Sequence, residues 1–501
     1  MDKQTTVLIM IDGYGKSAEK EGNAVANANK PNIDMLMKKY PNANVDAGGI
    51  NVGLPENGNG NSETGYSNIG SGRVIEQSIT AINKSIESGD FFSVNEFTKA
   101  IQNCKENSTK LHLLGLLSDG GIHSHERHLF ALLELAKRKG LDEVYVHCFM
   151  DGVDTLPASG ENYIQKLEEK MKEKGVGKIA TIVGRYYSMD KNNNWDRIKK
   201  AYDAVVYGKG EEKTSAIQAI EDSYQKEIFD EFVEPTIVCN GNKPIATIED
   251  GDSLIFYNFR ADRAREITEA FCDTNFDKFK TKKMKLFFVS MAEVGNVNLN
   301  TKVAFKHKKI KNTLAEVINN NKLKQLRISD SEELYNITFF FNGCKVTELK
   351  NEEIIINKEN KNGVYEITNK VINAIEDKNY DFILVEFASL DRIGHTGNID
   401  LTEKEIEMVD ECIGKIVEKI ESKNAIGLIT SDHGNVEQMI DYKTGEPFSS
   451  NTSNKVPIIL IGIEKAQLKD GKLCDIAPTV LDIMNVKKPV EMEGQSLLIR
   501  G

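Results

Sequence analysis

The chain has 501 residues, 40% hydrophobic and 28% charged, a balance that fits a folded chain of more than one domain and excludes global disorder. Its 76 acidic and 64 basic side chains leave a net charge of −12, which speaks against a broadly basic nucleic-acid-binding surface. No apolar run reaches the ~18 residues of a membrane-spanning helix. The apolar stretch at 7–11 is too short for the core of a signal peptide and runs into Asp12.

A cytoplasmic protein with neither membrane nor nucleic acid as partner is therefore expected. Seven scattered cysteines with no CxxC pair argue against a disulfide framework or a zinc–thiolate site and agree with a reducing compartment.

In chain order, buried-strand patterns fall at 7–11, 111–117, 144–150, 178–183, 253–257, 286–289, 382–387, 425–430 and 456–461. Helical periodicity covers 126–138, 160–174, 195–207, 313–320 and 403–420. The alternation predicts parallel α/β architecture. The charged, Asn-rich stretch 351–362 reads as a surface turn or loop.

Three strands run into groups that bind metals. The first ends at Asp12, another leads to Asp391 and His395, and a third ends at Asp432 and His433. Taken alone, Asp12 reads as a cap or turn residue, and each carboxylate–imidazole pair reads equally as a structural hydrogen bond. Ligands of α/β sheets bind beyond the carboxyl ends of strands, so the three together point to a two-metal site. Such a meeting would join the first strand to the last third of the chain and leave the middle as an inserted domain.

Ser62 lies in a Gly-rich loop, Gly58 to Gly65, and could open a helix whose amides favour phosphate. It is a candidate nucleophile, although on its own it reads as a plain helix cap. In the middle of the chain His123, Asp151 with Asp154, Arg185, and Arg260 with Arg263 each follow a strand. Several arginines so placed suit an anionic substrate such as a phosphorylated carboxylic acid. Any one of them alone reads as a surface ion pair.

These motifs together resemble the cofactor-independent (2,3-bisphosphoglycerate-independent) phosphoglycerate mutases of the alkaline-phosphatase-like superfamily. The likeness runs through Asp12-Gly13-Tyr14-Gly15, Gly60-Asn61-Ser62-Glu63, Ser118 to His125, Gly184-Arg185-Tyr186-Tyr187, Asn258 to Arg263, Gly394-His395-Thr396-Gly397 and Asp432-His433-Gly434-Asn435. The resemblance implies an alkaline-phosphatase-like parallel-sheet domain in two parts, 1–76 and 296–501, split by a smaller α/β transferase domain, 77–295.

It also implies a glycolytic isomerase, a monomer, that interconverts 3-phosphoglycerate and 2-phosphoglycerate through a phosphoserine. Two Mn²⁺ ions or similar divalent metals serve it, with no bisphosphoglycerate. Carried over by motif, Ser62 is the nucleophile. Asp12, Ser62, Asp432 and His433 hold one metal, and Asp391 and His395 the other. His123, Asp154, Arg185, Lys191, Arg260 and Arg263 bind substrate, with Asp154 as the proton-transfer group.

Four positions depart from the family pattern. Val153 and Lys191 stand where the family has Arg, Glu333 where it has Lys, and Asn451 where it has a metal-binding His. Tyr66 replaces a usual His, and Asp441 or Glu446 are possible substitutes for the missing imidazole. These departures leave open a metal-dependent enzyme acting on another phospho- or phosphono-acid, or a catalytically silent metal-binding homologue.

Overall fold

The computed structural model describes residues 4–294, 299–306, 309–330, 333–357 and 363–501. The chain divides into two compact units, Met1–Gln77 with Lys309–Gly501, and Ser78–Lys308. The divisions expected after 76 and 295 fall after 77 and 308, the second therefore thirteen residues later than expected. Residue 295 itself lies outside the described residues.

The first unit is built on an eight-stranded sheet. Its order is Glu352–Asn357, Gln325–Asp330, Phe382–Phe387, Thr6–Ile11, Ile426–Thr430, Val456–Ile461, Asn42–Asp46 and Gly471–Lys472. Only Val456–Ile461 runs against its neighbours. Every residue of Thr6–Ile11 is buried, because helices cover both faces, and the strand therefore reads as an unbroken apolar run. Thr6 pairs with Phe382 on one side and Ile426 on the other. The three strands expected to carry metal ligands are thus adjacent and parallel.

The second unit holds a sheet of order Lys302–Val303, Phe287–Ser290, Ser253–Phe256, Leu111–Leu116, Val144–Met150, Lys178–Gly184, Thr236–Asn240 and Glu211–Lys213, with Lys243–Pro244 paired to Thr236–Asn240. From Phe287–Ser290 to Lys178–Gly184 the strands are parallel. Four of them precede the predicted substrate residues.

One expectation fails. Residues 352–357 are not loop but the edge strand Glu352–Asn357, paired in parallel with Gln325–Asp330. It is charged only at its start, and its three isoleucines, two of them exposed, form an apolar run too short to stand out in the Asn-rich stretch around it. Residues 358–362 lie outside the described residues. Among the described residues no helix is long and apolar enough to cross a membrane.

Candidate active site

Ser62 is the first residue of the helix Ser62–Ser71 but does not cap it. Asn61 does, its Oδ1 accepting the Thr64 amide at 2.9 Å. The serine hydroxyl is therefore free of capping and lies 3.1 Å from His433 Nε2. Glycines bring this helix close to the ligands. A Cβ on Gly65 would sit 2.7 Å from Asp432 Cβ, and one on Gly60 would sit 2.7 Å from His433 Cβ.

Around His433 Nε2 also converge Asp12 Oδ1 at 3.2 Å and Asp432 Oδ2 at 3.3 Å. Donor atoms of Asp12, Asp432 and His433 all lie within 4.8 Å of one another, and the three residues are buried. Among the described residues, Asp12 Oδ1 and Asp432 Oδ2 are buried and make no hydrogen bond, with His433 Nε2 approaching both. Burial, joined by the charges of Asp432 and Asp391, holds the Asp12 carboxyl well above its ordinary range. Buried carboxylate oxygens without donors are costly, and a divalent cation is what such a set fits. His433 Nδ1 faces the Gly434 carbonyl at 3.2 Å, the arrangement that aims the other ring nitrogen at a metal.

Asp391 and His395 sit one helical turn apart in and just after the helix Ser389–Gly394, with Oδ2 and Nε2 3.2 Å apart. His395 Nδ1 faces the Ser449 carbonyl at 2.7 Å, again leaving Nε2 turned to the carboxylate. The bond to Asp391 raises the His395 pKa to about 9. Burial would raise Asp391, but His395, His433 and Asn435 outweigh it and hold the carboxyl low.

In the second unit, Arg185 Nη1 bridges Asp151 Oδ1 at 2.7 Å and Asp154 Oδ1 at 2.9 Å. Asp154 Oδ2 is buried and has no hydrogen-bond partner. Burial and the neighbouring Asp151 raise the Asp154 carboxyl, against Arg185 and Arg260. Burial lowers His123 to about 4, with Arg185, Arg260 and Arg263 adding to the effect against Asp262. His123, Asp154 and the three arginines thus share one electrostatic neighbourhood: a carboxyl able to carry a proton beside fixed cations.

A profile described as "BPG-independent PGAM N-terminus" matches residues 82–295, and one described as "Type I phosphodiesterase / nucleotide pyrophosphatase" matches 255–450. A 2,3-bisphosphoglycerate-independent phosphoglycerate mutase of Acetivibrio thermocellus is 48% identical over 100% of this chain and 100% of its own. The chain belongs to this family. The mutase of Clostridium tetani is likewise 48% identical over 99% of both chains. The crystal structure of Leishmania mexicana phosphoglycerate mutase at low cobalt concentration is similar, with a TM-score of 0.74 and 26% identity over 100% of this chain and 98% of that one. The fold is accordingly the alkaline-phosphatase-like α/β fold of these mutases, and the family's activity is an isomerase's.

Within that family the departing positions take distinct places. Val153 is 55% exposed. Lys191 is exposed and, among the described residues, forms no hydrogen bond or ion pair. Glu333 accepts from Asn336 Nδ2 at 3.0 Å, and burial with Asp330 and Asp391 raises its carboxyl. Tyr66 is fully buried, and burial with the charge of Glu386 holds its hydroxyl well above the ordinary phenol range. Asn451 donates to the Gly60 carbonyl at 3.1 Å and accepts from Asn435 Nδ2 at 3.3 Å. Asp441 Oδ1 accepts the amides of its own turn, Lys443 and Thr444, and among the described residues neither Asp441 nor Glu446 joins a ligand cluster with Asp391 and His395.

Three further residues carry no role in the sequence reading. Asn435 ties Asp391 Oδ1 at 2.7 Å. Asp151 gathers Ser118 Oγ, Arg185 and the Asp154 amide. Glu386, buried inside the central strand, accepts from Ser329 and Asn336, yet burial pushes it up to about 8. An acid in the middle of an apolar run was the available signal for Glu386.

Proposed function

We propose that this chain interconverts 3-phosphoglycerate and 2-phosphoglycerate, with Ser62 carrying the phosphoryl group between the two half-reactions. The observation that supports this most is Ser62 Oγ, free of its helix cap, 3.1 Å from His433 Nε2, a nitrogen also approached by Asp12 Oδ1 and Asp432 Oδ2, which accept no hydrogen bond. Full-length relatives at 48% identity bear the mutase name.

Divalent ions of the Mn²⁺ type, held by Asp12, Ser62, Asp432 and His433 and by Asp391 and His395, would lower the serine hydroxyl's pKa and neutralise phosphoryl charge when bound. Ser62 Oγ, its proton released to solvent beforehand and the alkoxide regenerated at the end, attacks phosphorus, and the bond from phosphorus to the glycerate oxygen breaks. Asp154 gives that oxygen its proton. Asp154 then takes a proton from the other glycerate hydroxyl, which attacks the phosphoserine and restores Ser62. A carboxyl raised by burial suits both transfers. Arg185, Arg260, Arg263, Lys191 and His123 are assigned to substrate binding, and the protein is read as a cytoplasmic monomer.

The test is conversion of 3-phosphoglycerate by purified, Mn²⁺-supplied protein, with Ser62→Ala alongside. Turnover that falls at least about 1,000-fold in the variant supports the reading, in line with other nucleophile deletions. A second reading, another phospho-acid as substrate, draws on Glu333 facing Asp330 and Asp391. It gains if 3-phosphoglycerate is inert while another acid turns over and still requires Ser62.

A further inference from the structure

The two candidate donor sets are unequal. The first offers Asp12, Asp432 and His433, all buried, with Ser62 Oγ beside His433 and with Asp12 Oδ1 and Asp432 Oδ2 accepting no hydrogen bond. The second offers Asp391 and His395. His395 is 45% exposed on its side chain, and Asp391 Oδ1 already accepts from Asn435. Among the described residues no third His, Cys, Asp or Glu completes a cluster with this pair.

The nearby amide of Asn451 does not complete it either. Its Nδ2 is committed to the Gly60 carbonyl, and its Oδ1 to Asn435 Nδ2. Oδ1 shares that donor with Asp391 Oδ1, so a metal drawing on it would compete with the Asn435 hydrogen bond. Asn451 thus works as a strut between the loop before Ser62 and the Asn435–Asp391 pair. Protein sites that keep a divalent ion for catalysis typically present three protein ligands, and an amide oxygen is a poorer donor than imidazole for Mn²⁺ or Zn²⁺.

We infer that this chain holds one divalent ion tightly at Asp12, Ser62, Asp432 and His433, and a second only weakly at Asp391 and His395. The inference rests on the metal-dependent reading above but makes a claim that reading does not require. The second position would fill and empty with the free metal concentration, so one ion is resident and the other exchanges.

The test is calorimetric titration of metal-stripped, full-length protein with Mn²⁺ alone, checked by metal content after dialysis. One retained equivalent is expected, with any second step at least about tenfold weaker, the scale on which lost supporting groups act. Asp391→Asn should remove only the weak step, and Asp12→Asn the tight one. Asn451→His should tighten the weak step by about tenfold or more. Asn451→Asp, which keeps the side chain's size, should tighten it as well.

Two steps of equal affinity in the unmodified protein overturn the inference and leave the mutase reading intact. So does a weak step unchanged in both Asn451 variants. No Mn²⁺ binding at all overturns the inference and the metal-dependent reading together.

Discussion

Asp151 is the residue on which the second unit's chemistry is hung. It is buried, accepts from Ser118 Oγ at 2.6 Å and from Arg185 Nη1 at 2.7 Å, and receives the Asp154 amide at 2.9 Å. Its negative charge raises the Asp154 carboxyl, and it competes with Asp154 for Arg185. Asp151→Asn removes the charge and keeps the shape. Asp154 should then lose its proton at lower pH, because a repelling neighbour is gone and Arg185 has one carboxylate fewer to serve. The acidic limb of kcat against pH should move down, while KM changes less. A uniform loss of activity with the profile in place would mean that Asp151 only supports the fold.

The candidate ligands Asp12, Asp432 and His433 were legible as a group because each follows an apolar run, and the structure brings them together. The hub role of Asp151 was not, since the family motif singles out Asp154 and spacing alone gives Asp151 no partner. Only the fold tells which one is tied down. Asn451 is the same case. As a substitution it could have been a weaker ligand, but its two hydrogen bonds make it a strut.

At the scale of elements, the helix Ser62–Ser71 depends on Asn61. With Asn61 as cap, the amide of Thr64 is satisfied without the Ser62 hydroxyl. Asn61→Ala should cost about 1 kcal/mol of stability, measured by denaturant unfolding, and Asn61→Ser should recover most of it. If Ala costs nothing, the cap is not what fixes this helix start. The sequence reading offered Ser62 itself as the cap, because Ser and Asn are equally good caps and stand side by side. The edge strand Glu352–Asn357 was missed for another reason: its apolar run is only three isoleucines long inside a charged, Asn-rich stretch, too short for periodicity to mark it. Parallel strands buried on both faces, such as Thr6–Ile11, had no such ambiguity.

Across the whole molecule, both units repeat one arrangement: neighbouring parallel strands deliver functional groups at their carboxyl ends. Phe382–Phe387, Thr6–Ile11 and Ile426–Thr430 deliver Asp391, Asp12 and Asp432. In the other unit Ser253–Phe256, Leu111–Leu116, Val144–Met150 and Lys178–Gly184 deliver Arg260, His123, Asp154 and Arg185. The second unit also carries three buried histidines away from these groups. His112 Nδ1 meets His147 Nε2 at 2.9 Å, and His128 Nε2 meets Asn83 Oδ1 at 3.0 Å.

Burial lowers all three, His128 from 6.5 to about 3. Between those values the unfolded chain binds protons that the folded chain refuses. Stability from this source is therefore complete above pH about 6.5 and declines as pH falls toward 3. His128→Gln should flatten that decline in thermal unfolding between pH 7 and 4. An unchanged slope would mean that His128 titrates normally in the folded protein.

The most direct measurement on the central claim is chemical quench of Mn²⁺-loaded protein during turnover of 3-phosphoglycerate, followed by mass spectrometry of the peptide containing Ser62. The account predicts phosphate on Ser62, forming and disappearing with turnover and absent from Ser62→Ala. Turnover without any phosphorylated Ser62, or undiminished turnover by Ser62→Ala, would contradict it.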